Sequence, residues 1–185
     1  KGAIKNSIYE VLTNKCDIKD AIIKTKFTKL FILPATMNLA GLDVELVQME
    51  YNDPEFKKNW QLKNALSEVS SSFDYIIDCP PSLGLNTMNA LVASNSVLIP
   101  IQCEFYALEG VAQVLNTIII TQTKLNTELT IEGVLLTMLD SRTNLGLEVV
   151  EQVRKFFGDK TFNTIIPRLI RLVEAPSHGV PICEY

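Results

Sequence analysis

The sequence has 185 residues, 17 Lys and Arg against 21 Asp and Glu, one His and a net charge of −4. That length suits one domain, since domains run to roughly 100–200 residues, and such a chain can bury about 70% of its unfolded surface. With 47% hydrophobic and 21% charged residues, disorder, coiled coil and collagen are excluded. A net negative chain is not a constitutively basic nucleic-acid binder, so any grip on DNA or an anionic membrane must come from a local patch or from assembly. No apolar run reaches the roughly 18 residues that span a bilayer. The opening Lys1-Gly2-Ala3-Ile4-Lys5-Asn6 has neither a signal-peptide core nor an initiator Met. A soluble, cytoplasmic protein is expected, and the sequence is expected to be a piece of a longer chain.

The first thirty residues, with Ile8, Val11, Leu12, Ile18 and Ile22, read as two short helices. Leu30-Phe31-Ile32-Leu33, stopped by Pro34, reads as a first strand. Tyr75-Ile76-Ile77 is a second, Val97-Leu98-Ile99-Pro100-Ile101 a third, Val134-Leu135-Leu136-Thr137-Met138 a fourth and Thr164-Ile165-Ile166 a fifth. These runs are apolar on both faces, as parallel strands covered by helices are. Helical spacing appears in residues 54–69, 85–93, 107–125 and 147–157, the last ending at Gly158, a natural C-cap. Alternation of this kind predicts an α/β fold, a mainly parallel sheet flanked by helices, as a single domain over residues 1–185. Ligands in such folds sit at the carboxyl ends of strands. That rule selects Asp78, Gln102-Cys103-Glu104, Asp140 and Pro167-Arg168.

The cysteines at 16, 79, 103 and 183 are too far apart for a zinc knuckle or redox pair. Cys79 and Cys103, at the ends of apolar runs, read as reduced core residues. His178 stands alone, which excludes a His-rich metal site, and no Gly-x-Ser-x-Gly elbow supports a Ser-His-Asp hydrolase.

Asp78 follows the apolar Tyr75-Ile76-Ile77, a place where an acid can hold Mg²⁺ through a water. A strand-end Asp can equally cap the following turn. The run that continues through Cys79-Pro80-Pro81-Ser82-Leu83-Gly84 adds two prolines that fix the backbone as it leaves the sheet. Residues Phe73-Asp74-Tyr75-Ile76-Ile77-Asp78-Cys79-Pro80-Pro81-Ser82-Leu83-Gly84 resemble the Walker B segment of the ParA/Soj chromosome- and plasmid-partitioning ATPases, a deviant-Walker branch of the P-loop NTPases. Further stretches agree in the same order: Ile99-Pro100-Ile101-Gln102-Cys103-Glu104-Phe105-Tyr106, Gly133-Val134-Leu135-Leu136-Thr137-Met138-Leu139-Asp140, and Ile166-Pro167-Arg168 through Glu174-Ala175-Pro176-Ser177-His178-Gly179.

The resemblance implies ATP and Mg²⁺ as cofactors. It makes Asp78 the Walker B acid, orienting the Mg²⁺ water shell, and places Met138, Pro167, Arg168 and Leu169 at the nucleotide. Leu169 stands where the family usually has Asn, and a Leu offers no amide to the base edge. Arg142, Arg168 and Arg171 match or neighbour the family's DNA-contacting arginines; read without the resemblance, they are solvated charges or, for Arg168, an intramolecular ion pair. The resemblance also implies a homodimer when ATP-bound, non-specific DNA binding by that dimer, hydrolysis stimulated by a ParB-type partner, and nucleoid association rather than a membrane.

The family's Gly-rich phosphate loop, with its two lysines, is not among these residues. The first βαβ unit and the C-terminal helix are therefore expected to be missing, and the chain alone to be inactive. Two alternatives stay open. One is a non-enzymatic adaptor that lacks the phosphate loop; the other is a MinD-like membrane-positioning ATPase.

Overall fold

The computed structural model describes residues 4–185, which pack as two compact units. The first runs to Asn95 and takes in Ile120–Leu129; the second comprises Ser96–Ile119 and Thr130–Tyr185.

The first unit is mainly helical. Helix α1 (Ile8–Leu12) starts on a capping box: Ser7 Oγ accepts from the Tyr9 N–H, and Glu10 reaches back to accept from the Ser7 N–H at 2.8 Å. Helix α2 (Ile18–Ala21) is capped by Asp17. Strand β1 (Ile23–Lys24) pairs antiparallel with β2 (Phe31–Ile32). The predicted first strand is thus shorter than its apolar run and belongs to a hairpin, not to the parallel sheet. A 3₁₀ turn leads into helix α3 (Leu42–Asn52), followed by α4 (Gln61–Ser67) and α5 (Leu85–Ala93). Of the helix expected over residues 54–69, only α4 forms a full α-helix.

Two apolar clusters hold this unit. Val11, Ile18, Ala21, Ala65 and Val69 form one; Leu12, Leu42, Leu46, Leu62 and Ala90 form the other. Each fully buried Leu contributes about 1.5–3 kcal/mol. Two buried asparagines satisfy helix ends that would otherwise be unpaired. Asn89 Oδ1 accepts from the Leu62 N–H at 3.2 Å, and its Nδ2 donates to Lys58 O at 2.8 Å. Asn126 Nδ2 donates to Leu91 O, Val92 O and Ser94 O, at 3.0, 3.2 and 2.8 Å, and so closes the C-terminal end of α5.

Tyr75-Ile76-Ile77, read as the second strand, enters no ladder; among the described residues the backbone of residues 73–79 has no main-chain hydrogen bond. Ile76 is fully exposed. The apolar run meets the strand pattern, yet a strand forms only where a neighbour accepts and donates along its edge. This segment and residues 29–35 line a groove of 590 Å³.

The second unit holds the parallel sheet. Strands β3 (Ser96–Gln102), β4 (Thr130–Leu139) and β5 (Thr161–Pro167) lie in the order β3-β4-β5, with Ile101 opposite Leu136 and Leu136 opposite Ile165. Helix α6 (Ala107–Lys124) links β3 to β4, and α7 (Asn144–Phe157) links β4 to β5. Val134 and Leu136 on the central strand have no exposed surface, and Val149, Val150 and Val153 form the buried stripe of α7. Gly158 ends α7 at φ +53°, a backbone state open to Gly at little cost. Helix α8 (Ile170–Ser177) follows β5. The predicted α/β fold with a parallel sheet flanked by helices is present.

Cys103 is buried as expected, whereas Cys79 is exposed, because the unpaired segment that carries it has no covering element. All four cysteines are free.

Candidate functional site at the carboxyl ends of the parallel strands

The parallel ladder brings the ends of β3, β4 and β5 together. Past β3, the Cys103 N–H donates to Thr137 O at 2.9 Å, and Thr137 Oγ1 donates to Ile101 O at 3.2 Å. Past β5, the Arg168 N–H donates to Leu139 O at 2.9 Å, continuing the Leu139–Pro167 register. Met138 lies between these ties at φ +56°, a left-handed conformation for a long, unbranched side chain. Such a state costs about 1–3 kcal/mol and persists where the surroundings over-determine it, as they do at functional sites.

Asp140 follows directly. Its carbonyl accepts from the Thr143 N–H at 3.1 Å and from Thr143 Oγ1 at 2.9 Å. Thr143 Oγ1 in turn accepts from the Gly146 N–H and caps α7. Gly146 permits this closeness: a Cβ there would lie 3.0 Å from Thr143 Oγ1 and 3.1 Å from Leu139 Cδ1.

The Asp140 carboxylate accepts three bonds from one residue. Oδ1 takes the Arg142 N–H at 3.1 Å and Nε at 2.8 Å, and Oδ2 takes Nη2 at 2.6 Å. The Arg142 guanidinium therefore holds the Asp140 carboxyl down at about 2, with a smaller push in the same direction from the Arg168 charge. Arg142 itself is 87% exposed. Arg168 Nη1 lies 3.9 Å from Glu104 Oε1, so the ion-pair reading of Arg168 has a partner, though a loose and exposed one.

Of the predicted site residues, Met138, Arg142, Pro167 and Arg168 thus meet at one end of the sheet, with Leu169 at the N-cap of α8 and half exposed. Arg171 lies in the first turn of α8, whose N-cap is Leu169. It is exposed and has no ion-pair partner among the described residues. Asp78 belongs to the first unit, exposed at the end of the unpaired run 73–79. The loop after it is fastened by Thr87 Oγ1 donating to Ser82 O at 2.5 Å, and by Asp43 Oδ2, which accepts the Leu85 N–H at 3.3 Å.

Sequence reasoning marks Asp140 as a strand-end acid but misses its hold on Arg142. The signal is an Asp two residues before an Arg, where an Asp side chain commonly accepts the backbone N–H two places on. Asp43 is missed too, since nothing local connects it to Leu85, 42 positions away.

Among the described residues no three His, Cys, Asp or Glu side chains are grouped to hold a metal ion. The chain offers Mg²⁺ single carboxylates. That fits an ion which keeps most of its water and is bound through one or two acids together with phosphate oxygens.

A family model described as an AAA domain matches residues 1–131. The sporulation initiation inhibitor protein Soj of Bacillus subtilis is 53% identical over 186 residues, covering 100% of this chain and 71% of its own. The chromosome-partitioning ATPase Soj of Treponema pallidum is 48% identical over 180 residues, covering 97% and 69%. Among solved structures, cobyrinic acid a,c-diamide synthase from Mycobacterium smegmatis, with a bound ATP analog and magnesium, superposes with a TM-score of 0.79 at 36% identity. That match covers 89% of this chain and 63% of the synthase. With identity of this level along the whole length, the chain belongs to the Soj/ParA family of partitioning ATPases.

Proposed function

We propose that the natural full-length gene product containing these residues binds ATP and Mg²⁺, dimerises in that state, and then holds DNA without regard to sequence. A ParB-type partner stimulates hydrolysis and so ends the DNA-bound state. The cycle places the protein on the nucleoid of the cytoplasm rather than on a membrane. Among the described residues no helix is long and apolar enough to cross a bilayer.

The observation that carries this reading is the cluster at the ends of β4 and β5. A strained Met138 beside Pro167 supplies an apolar surface for a base, and the exposed Arg142, Arg168 and Arg171 supply cations for phosphate. Leu169 adds apolar contact but no donor, so any recognition of the base edge falls to backbone groups.

Asp78 offers a hard oxygen to the water shell of Mg²⁺. Mg²⁺, when bound, would supply positive charge to offset that of the phosphate. Asp78 would hold a water of that shell, and Pro80 and Pro81 restrict the backbone that carries it. The arginines reach backbone phosphates, which position a protein on DNA without reading bases.

The test is ATP-dependent DNA binding by the full-length protein, followed by anisotropy of a labelled duplex of random sequence. Arg142→Ala together with Arg171→Ala should weaken binding by about eightfold or more near 0.1 M salt, the worth of at least one lost phosphate contact. ATP-dependent dimerisation should persist. Unchanged DNA affinity in the double variant would sink the DNA reading.

A further inference from the structure

We propose that Asp140 is a charge mask on Arg142: its carboxylate occupies the guanidinium edge that DNA phosphate would otherwise take, and so holds down DNA affinity. The inference rests on the DNA reading above and names a brake on that same site.

The geometry is that of a phosphate surrogate. Two carboxylate oxygens meet Nε and Nη2 of one guanidinium at 2.8 and 2.6 Å, the side-on fork with which Arg also takes phosphate. The mask is fixed in place from both sides. Asp140 accepts the Arg142 N–H through Oδ1, and its carbonyl is pinned by Thr143 at the start of α7. The cation has no comparable anchor elsewhere among the described residues: it is 87% exposed, against 28% for the Asp140 side chain. DNA can approach this arginine, but it meets a pair of zero net charge.

Zero net charge decides the energetics. A protein gains non-specific DNA affinity by neutralising phosphates and releasing their counterions, with log K falling by about 0.9 per tenfold rise in salt for each phosphate neutralised. A paired Arg142 contributes almost none of this, whereas an unpaired one contributes the full increment. Arg168 has a second, looser carboxylate at 3.9 Å in Glu104, which leaves Arg171 as the bare cation of the three among the described residues. In an acidic protein this arrangement keeps a single subunit off DNA, so that useful affinity needs the patches of two.

The test uses the full-length gene product with ATP and Mg²⁺ in four forms: unaltered, Asp140→Asn, Arg142→Ala, and both together. Anisotropy of a labelled random duplex is read across a salt series centred on about 0.1 M. Asn keeps the Oδ1 acceptor for the Arg142 N–H, so the turn survives while the charge goes. Asp140→Asn should bind about eightfold tighter, with a salt slope steeper by about 0.9. That gain should vanish when Arg142 is also Ala, because the mask acts only through that cation. Asp140→Ser, which also keeps an oxygen acceptor, should give the same gain and covers the case in which the Asn variant folds poorly.

Equal or weaker binding by both neutral variants would overturn the proposal, since Asp140 would then be positioning Arg142 rather than hiding it. A gain that persists in the Arg142→Ala background would also overturn it, as general repulsion of DNA. Loss of DNA binding in Arg142→Ala without any gain in Asp140→Asn refutes the mask and spares the DNA reading. No effect of Arg142→Ala in the Asp140→Asn background refutes the placement of DNA at Arg142 itself.

Discussion

Replacing Gly133 by Ala tests the packing of β4 against β5 through the sign of a small effect. In a strand, Gly→Ala ordinarily stabilises by about 0.4–1 kcal/mol, because the unfolded chain has less freedom to lose. At Gly133 the added Cβ would lie 2.6 Å from Phe162 Cε2 and 2.9 Å from the backbone carbonyl of Lys160. Phe162 is 40% exposed and can swing aside. The Lys160 carbonyl closes the turn into β5, and its movement drags the strand with it. Overpacking of this kind costs about 1–3 kcal/mol, which outweighs the entropic gain. The net expectation is a loss of about 1–2 kcal/mol, equivalent to roughly 2–8 °C in Tm for a chain of this length. Gly110, inside α6, has open space where an alanine methyl would stand, with nothing within 4 Å. Gly110→Ala should therefore stabilise, by about 1 kcal/mol. Urea unfolding of both variants with unchanged m-values decides the matter. If Gly133→Ala is as stable as the parent, the β4–β5 approach described above is wrong.

Two further expectations concern single side chains. The Asp140 carboxyl is lowered from 3.8 to about 2 by Arg142, so the stability its ionised form contributes is complete above about pH 4 and is lost as pH falls through about 2. A carboxyl-carbon NMR titration should place its midpoint near 2, and Arg142→Ala should raise it toward the ordinary carboxylate value of about 3.9; an unmoved midpoint would show that the pair does not form in solution. Asn126→Ala strips the donor from three carbonyls at the end of α5 and should cost about 2–3 kcal/mol in chemical denaturation, the penalty of leaving buried acceptors unpaired. A loss under about 0.5 kcal/mol, less than a typical net hydrogen bond, would mean that water takes over those carbonyls.

The parallel sheet is legible because each of its strands is apolar on both faces and bounded by Pro, Gly or charge. Helix α7 declares its own end at Gly158, and α5 matches its expected span because Gly84 begins it and Ser94 ends it. Helix α3 is not legible. Only Leu42 and Leu46 are buried in it, while Val44, Val47 and Tyr51 stay exposed, so the apolar pattern points in no single direction. Residues 73–79 illustrate the opposite error. Tyr75-Ile76-Ile77 carries every local mark of a strand, but pairing is a property of two segments, and composition reads only one. At the candidate site, the strand-end rule finds Asp140 and Pro167, whereas the hold of Asp140 on Arg142 depends on side-chain geometry that residue types do not report.

The first unit is discontinuous in the chain: it is completed by Ile120–Leu129, and Asn126 reaches back to the carbonyls of Leu91, Val92 and Ser94. On the ribosome, the helices up to Ala93 emerge well before the segment that closes them. At about 5–20 residues per second, the wait between Asn95 and Leu129 lasts about two to seven seconds. Through that interval the carboxyl end of α5 has water, not Asn126, as its partner. The first strand of the sheet and all of α6 are made during the same pause, so the second unit begins to appear before the first is sealed. Vectorial synthesis thus interleaves the two units in time, and a pause or a prolonged nascent state at this stretch exposes the closing residues of one unit together with the opening strand of the other.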